Sequence, residues 1–166
     1  MDTNKDRVLK IPPYSPLQLT GLVILRVLIG WHFLYEGFAK VLNPNWTAAG
    51  FLLDSKWLFS NVFIAMAQNS HILAFVDFAN KWGLVMVGLG LIAGAMTRVA
   101  TGAGILMLII YYVATPPLIG LSYSIPFEGS YLIVNKNMVE AWALVVLLIF
   151  PTGRIIGLDR LLFPKK

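Results

Sequence analysis

The sequence predicts an all-α integral membrane protein: a four-helix bundle with interfacial helices in its outer loops. Three observations predict it. Of the 166 residues, 58% are hydrophobic and only 13% charged, at a mean hydropathy of +0.75, which is too apolar for a soluble fold. Four apolar runs recur along the chain, and a helix needs about 20 such residues to cross a bilayer. Helix breakers separate them at Asn43-Pro44, at Pro116-Pro117 and at Pro151-Thr152-Gly153, with a very short turn at Thr97-Arg98. The chain therefore divides into an N-terminal tail (1–16), a four-span membrane domain (17–151) and a basic tail (152–166).

Each element follows from its local sequence. In the N-terminal tail, Pro12, Pro13 and Pro16 prevent helix before Leu17. The first ten residues are polar and basic, but the apolar run behind them is too long for a signal-peptide core and lacks a small-residue cleavage site, so it reads as an uncleaved first span, Leu17 to Leu42. Between Asn45 and Asn69, Trp46, Phe51, Trp57 and Phe59 alternate with Asp54, Lys56 and Asn61. That mixture suits helices lying in the membrane interface, because aromatic rings prefer headgroup depth. Span two runs from about Ile72 or Asp77 to Met96, and its Gly83, Gly88, Gly90 and Gly94 are expected to let a neighbouring helix approach its backbone. The turn at Arg98 makes span three, Val99 to Thr115, its antiparallel neighbour. A second polar-aromatic loop, Leu118 to Lys136, leads to span four at roughly Asn137 to Phe150.

Charge sets the expected orientation. With both termini and the Arg98 turn inside, the cytoplasmic side holds Lys5, Arg7, Lys10, Arg98, Arg154, Arg160, Lys165 and Lys166, whereas Lys40, Lys56, Lys81 and Lys136 stay outside. This places the chain in a bacterial inner membrane with both termini cytoplasmic. The net charge of +5 lies in the flanks of apolar runs, which argues for membrane orientation and against nucleic acid as a partner.

Span one carries Arg26, His32, Glu36 and Lys40 at membrane depth, where an unpartnered charge costs several kcal/mol. On a helical wheel these four share one face with Gly30, Phe33 and Gly37. The opposite arc, Val27, Leu28, Trp31, Leu34, Tyr35, Phe38, Val41 and Leu42, is expected against lipid. Glu36 and Lys40 approach the outer ends of spans two and four, where Asp77, Asn80, Lys81, Asn137 and Glu140 stand, so an outer polar cluster follows. The pairs Glu36 with Lys40, His32 with Glu36 and Asp77 with Lys81 all have i,i+4 spacing. Two uses are open for the cluster: an ion-pair net that fixes helix packing, or a headgroup, quinone or proton site. Arg26 lies about 13 Å into the span, with Tyr111, Tyr112 and Thr115 of span three as its depth matches. It is either a packing clamp or a donor to a quinone carbonyl or an anion.

Other chemistries lack their residues. The absence of cysteine removes disulfides, thiol chemistry, iron-sulfur ligation and a Cys-based zinc site from this chain. His32 and His71 are the only histidines, so no bis-His haem arrangement exists, and His32-x-x-x-Glu36 has no second matching pair to complete a metal site. The run Gly88 to Gly94 lacks dinucleotide-fingerprint spacing, and no nucleophile elbow occurs.

Three motifs together resemble the DoxX/DoxD family. They are Arg26-x-x-x-Gly30-x-x-Phe33-x-x-x-Gly37-x-x-Lys40; Trp82-Gly83 through Gly88, Gly90 and Gly94 to Thr97-Arg98; and Gly153-Arg154-x-x-Gly157-Leu158-Asp159. The resemblance covers nearly the whole chain beyond the N-terminal tail. It implies a four-helix membrane protein, with DoxD-type members serving as the small subunit of a thiosulfate:quinone oxidoreductase and some DoxX-type members joining complexes that handle oxidative or thiol stress. On this basis the expected binding face, for a quinone, is Arg26, His32, Glu36, Lys40, Tyr111 and Glu140. Gly30, Gly37, Gly83, Gly88, Gly90, Gly94 and Arg98 are expected to pack helices. Three roles stay open: a quinone-facing redox subunit with sulfur chemistry supplied by a partner, a non-catalytic anchor or assembly subunit, and a small transporter or lipid-binding protein. Partners are the lipid bilayer and either another protein or further copies of the chain, with neither metal nor haem expected.

Overall fold

A computed structural model describes residues 14–124 and 132–163. It is all-helical, 72% helix, with no strand among the described residues. The elements are α1 (Pro16–Val41), α2 (Ala49–Leu53), α3 (Ser60–Gln68), α4 (Ser70–Ala93), α5 (Thr97–Ala114), α6 (Lys136–Ile149), a turn of 3-10 helix (Thr152–Arg154) and α7 (Asp159–Leu162). Three helices are long and apolar enough to cross a membrane: α1 with 26 residues, α4 with 24 and α5 with 18. The expected fourth span is shorter, since the 14 residues of α6 rise only about 21 Å.

Local chemistry sets the helix ends. Ser15 and Gln18 close a capping box at the start of α1, with Pro16 in its first turn. Asn69 caps α4 through the amides of His71 and Ile72, and Asn135 caps α6 through Met138. At the far end of α4, Gly94 adopts φ +64, and the Ala95 amide bonds back to the Gly90 carbonyl.

The core is Ile29 and Phe33 from α1, Leu84, Val87 and Leu91 from α4, Ala100 and Leu108 from α5, and Leu144 and Leu147 from α6. Helix α1 packs on α4, α4 on α5, α5 on α6, and α6 touches α1. The tightest seam is α1 against α4. A Cβ at Gly88 would meet the Leu34 amide nitrogen at 2.5 Å and the Gly30 carbonyl at 2.7 Å, and one at Gly37 would meet the Val85 nitrogen at 2.8 Å. Backbone on backbone cannot yield, so these glycines fix the helix spacing. Gly90 lies 3.0 Å, by the same measure, from the Ala100 Cβ of α5. Gly83 faces only the flexible Met107 side chain. Arg98 departs from expectation: it is exposed, and the buried member of that turn is Thr97.

Most of the predicted lipid arc is exposed, including Leu28, Trp31, Tyr35 and Phe38, but Leu34 is buried because Gly88 admits the α1 backbone beside it. Helix α3 buries no residue at all. Asp54 accepts from the Ser124 amide at 2.5 Å, and Lys56 reaches both Asp54 and the Ser122 carbonyl, so the α2–α3 connection is tied to the loop after α5. The part of that second loop at 125–131 lies outside the described residues.

Gly88→Val is expected to separate α1 from α4 and cost about 3 kcal/mol or more. Gly21→Val, at a position with no atom within 4 Å of a built Cβ, should leave stability unchanged. Thermal unfolding in mild detergent compares the two.

Candidate functional site

The membrane-depth polar residues divide between the two ends of the helices. At the end where α1 begins and α4 turns into α5, Arg26 is 2% exposed. Its Nη1 donates to the Thr152 hydroxyl at 3.0 Å and its Nη2 to the Ile156 carbonyl at 2.8 Å, both in the chain after α6. That segment is locked onto the α4–α5 turn. The amides of Leu158 and Asp159 bond to the carbonyls of Ala93 and Gly94 at 3.1 and 2.8 Å. In return the Asp159 carboxylate accepts the Met96 amide at 2.6 Å, the Thr97 amide at 2.9 Å and the Thr97 hydroxyl at 2.5 Å. Met96 is the N-cap residue of α5, and Asp159 supplies the acceptor for this helix start from 62 residues away, with a charge that suits it. It also holds Met96 at φ 47, a left-handed conformation that costs a non-glycine residue about 1 kcal/mol. Gly94 and Gly157 touch backbone to backbone, and a Cβ on Gly94 would also meet the Arg26 guanidinium at 3.0 Å.

Arg26 therefore does not meet Tyr111, Tyr112 or Thr115. These lie at the other end of α5, and each has a different partner: Asn80, the Ile133 carbonyl and the Tyr111 carbonyl. A side chain on α1 leans toward the helix N-terminus, and the long arginine reaches past the core to the 152–159 segment.

The remaining five predicted binding residues come together. His32, Glu36 and Lys40 from α1, Tyr111 from α5 and Glu140 from α6 line one cavity of about 670 Å³. Its apolar walls include Phe33, Phe51, Leu84 and Leu108, and Trp46 closes one side. Glu36 pairs with Lys40 at 2.5 Å as its spacing predicts. His32 does not pair with Glu36: its Nδ1 meets Glu140 Oε1 at 2.9 Å, because the α1–α6 contact brings the second carboxylate closer. Asp77 likewise turns from Lys81 to the Ala48 amide at 2.7 Å, and Lys81 stands over the Trp46 ring together with Lys40, at 5.3 and 5.7 Å. Asn80 donates to the Tyr111 hydroxyl at 2.8 Å, which leaves the phenol proton free to donate, and Phe51 packs edge-on against that ring.

Charge over the cavity is balanced, with Lys40 and Lys136 against Glu36 and Glu140. No group of three or more metal-ligating side chains occurs among the described residues. Asn80 and Asn137 were legible as neighbours of the outer cluster, whereas Trp46, Thr47 and Phe51 were not, since nothing in an interfacial stretch marks which side chains fold back over the bundle. No family model, curated protein or solved structure matches the chain.

Arg26→Ala is expected to remove two charge-assisted hydrogen bonds and about 3 kcal/mol of stability, read as a lower unfolding midpoint in detergent. A second expectation concerns acid. Burial raises the Asp159 carboxyl, but the hydrogen bonds from Thr97 and Met96, with Arg154 nearby, outweigh it and hold the group below its ordinary 3.8. Its contribution is present above that ordinary value and lost as pH falls through the depressed one. Asp159→Asn should lower the midpoint at neutral pH and narrow its gap from wild type on acidification; a gap independent of pH would assign Asp159 a purely steric role.

Proposed function

We propose that the chain is a DoxX/DoxD-type membrane subunit of a quinone-linked redox complex. In this role the cavity holds a quinone head, and a partner oxidises thiosulfate or a related sulfur or thiol compound. What supports this is the convergence of five predicted residues on one cavity that joins apolar walls to a charge-balanced polar set. With no surplus positive charge, the cavity is poorly suited to phosphate or another free anion. A neutral ring bearing two carbonyls asks instead for flat apolar walls and hydrogen-bond donors. Phe33, Phe51 and Leu84 supply the walls. The Tyr111 hydroxyl, whose oxygen already accepts from Asn80, supplies a donor, and His32, engaged only through Nδ1, supplies a second ring nitrogen.

A quinone takes up two protons with two electrons when it is reduced. The residues of this chain hold and relay protons, while the electrons come from the partner. Glu140 engages His32 by its Nδ1, which orients the imidazole, so a proton can pass along Glu140, His32 and the cavity. In the bilayer we place α1, α4 and α5 as spans and α6 with its flanking prolyl turn as a shorter fourth. By the positive-inside rule, both termini and the Asp159 lock face the cytoplasm of a bacterial inner membrane, and the cavity with α2 and α3 faces outward.

Native mass spectrometry of the gently solubilised protein from its own membranes tests this reading. A co-purifying quinone, with occupancy lowered about tenfold by Tyr111→Phe or His32→Asn, is expected, since one hydrogen bond is worth about 1.4 kcal/mol. Arg26→Ala should leave occupancy per folded molecule unchanged. Protein partners without any quinone would instead assign the chain an anchor or assembly role.

A further inference from the structure

A second, smaller hollow lies between α5 and α6. It has a volume of about 230 Å³ and is walled by Ile105, Ile109 and Tyr112 on one helix and Met138, Trp142 and Val145 on the other. Its lining is almost wholly apolar, and several of its side chains are exposed, Trp142 at 66% and Ile109 at 49%, so it opens on the outer flank of the helices. This groove adjoins the polar cavity, since Leu108 and Asn137 line both. The division follows helix periodicity. On α5, Tyr111 and Thr115 face the cavity while Ile105, Ile109 and Tyr112 face the groove; on α6, Glu140 faces the cavity while Ala141 and Val145 face the groove. From Asn137 down to Val145 the groove follows α6 for about 12 Å, starting at the level of the polar groups and ending two turns deeper among apolar ones.

We infer that this groove is the berth of the hydrocarbon tail of the ligand whose head occupies the cavity, and that such a ligand enters and leaves sideways from the bilayer between α5 and α6. The inference rests on the quinone-binding reading for the identity of the head, and it specifies the ligand class: a long-tailed amphiphile rather than a water-soluble ring. The argument for this occupant is adjacency. A polar cavity that shares two wall residues with an apolar groove on the exposed flank of α5 and α6 matches a molecule with a polar head joined to an apolar chain. Ala141 lines the groove with a single methyl.

The test uses the full-length protein in phosphatidylcholine nanodiscs, with a decyl-tailed benzoquinone, its tail-less counterpart, and a decyl-tailed form carrying a diazirine at the tail end. Tail labels are expected on the α5 and α6 residues of the groove. Ala141→Phe should weaken the tailed quinone at least tenfold while leaving the tail-less one unchanged, and Trp142→Ala, at an exposed wall position, should weaken only the tailed one. If both quinones bind but neither variant separates them, or the labels fall outside α5 and α6, the berth is overturned and the cavity reading stands. If neither quinone binds, the quinone reading falls, and the berth is judged by a phosphatidylcholine carrying the diazirine in its acyl chain. Labelling of the groove above other lipid-facing positions then supports it, and even labelling overturns it.

Discussion

Helices in a bilayer gain little from hiding apolar surface from one another, since lipid is as apolar as leucine, and so they associate where their backbones can come close. Here that place is the seam between α1 and α4, where Gly30, Gly37 and Gly88 leave no room for a side chain. Everything polar in the structure hangs from this seam. The close approach turns one face of α1 inward along its whole length, so that Arg26 is delivered to one end of the molecule and His32, Glu36 and Lys40 to the other. A wider spacing would leave all four facing a gap.

The two ends then solve the same problem in different ways. At the Arg26 end, among the described residues, the guanidinium Nε is the one buried side-chain donor without a partner. The Asp159 carboxylate is saturated by one helix start, Gly94 and Gly157 let two segments touch backbone to backbone, and Gly153 leaves room for the Thr97 and Asp159 side chains. Such a site is rigid and closed. At the Glu36 end the pairs surround a cavity of about 670 Å³, and His32 and Tyr111 retain hydrogen-bonding capacity. Rigidity at one end and spare capacity at the other is the arrangement expected of a scaffold that presents a binding site.

The helices were legible because their ends are written in prolines, glycines and capping residues. Asn43-Pro44, Gly94, Pro116-Pro117 and Pro151 bound the observed elements to within a few residues of expectation. Much of the cavity was legible too, because a carboxylate or histidine inside an apolar helix has to find company, and helical periodicity says on which face. Partner choice was less legible. Sequence spacing favoured Glu36 for His32 and Lys81 for Asp77, yet tertiary neighbours at equal reach displaced both local pairs. Counting residues along the spans matched Arg26 with Tyr111, Tyr112 and Thr115, whereas its acceptors, Thr152 and Ile156, lie past the end of α6, where a count along the spans does not reach. Asp159 as the acceptor for a helix start 62 residues earlier has no local signature.

The Asp159 lock also has an order of assembly built into it. Its parts come from α1, from the α4–α5 turn and from residues 152–159, so it can close only after residues 152–159 have been made. Until the ribosome releases those residues, the Arg26 guanidinium has neither of its acceptors and the Met96 and Thr97 amides lack the Asp159 carboxylate. A chain halted before residue 152 therefore carries on α1 a cation without either of these hydrogen bonds.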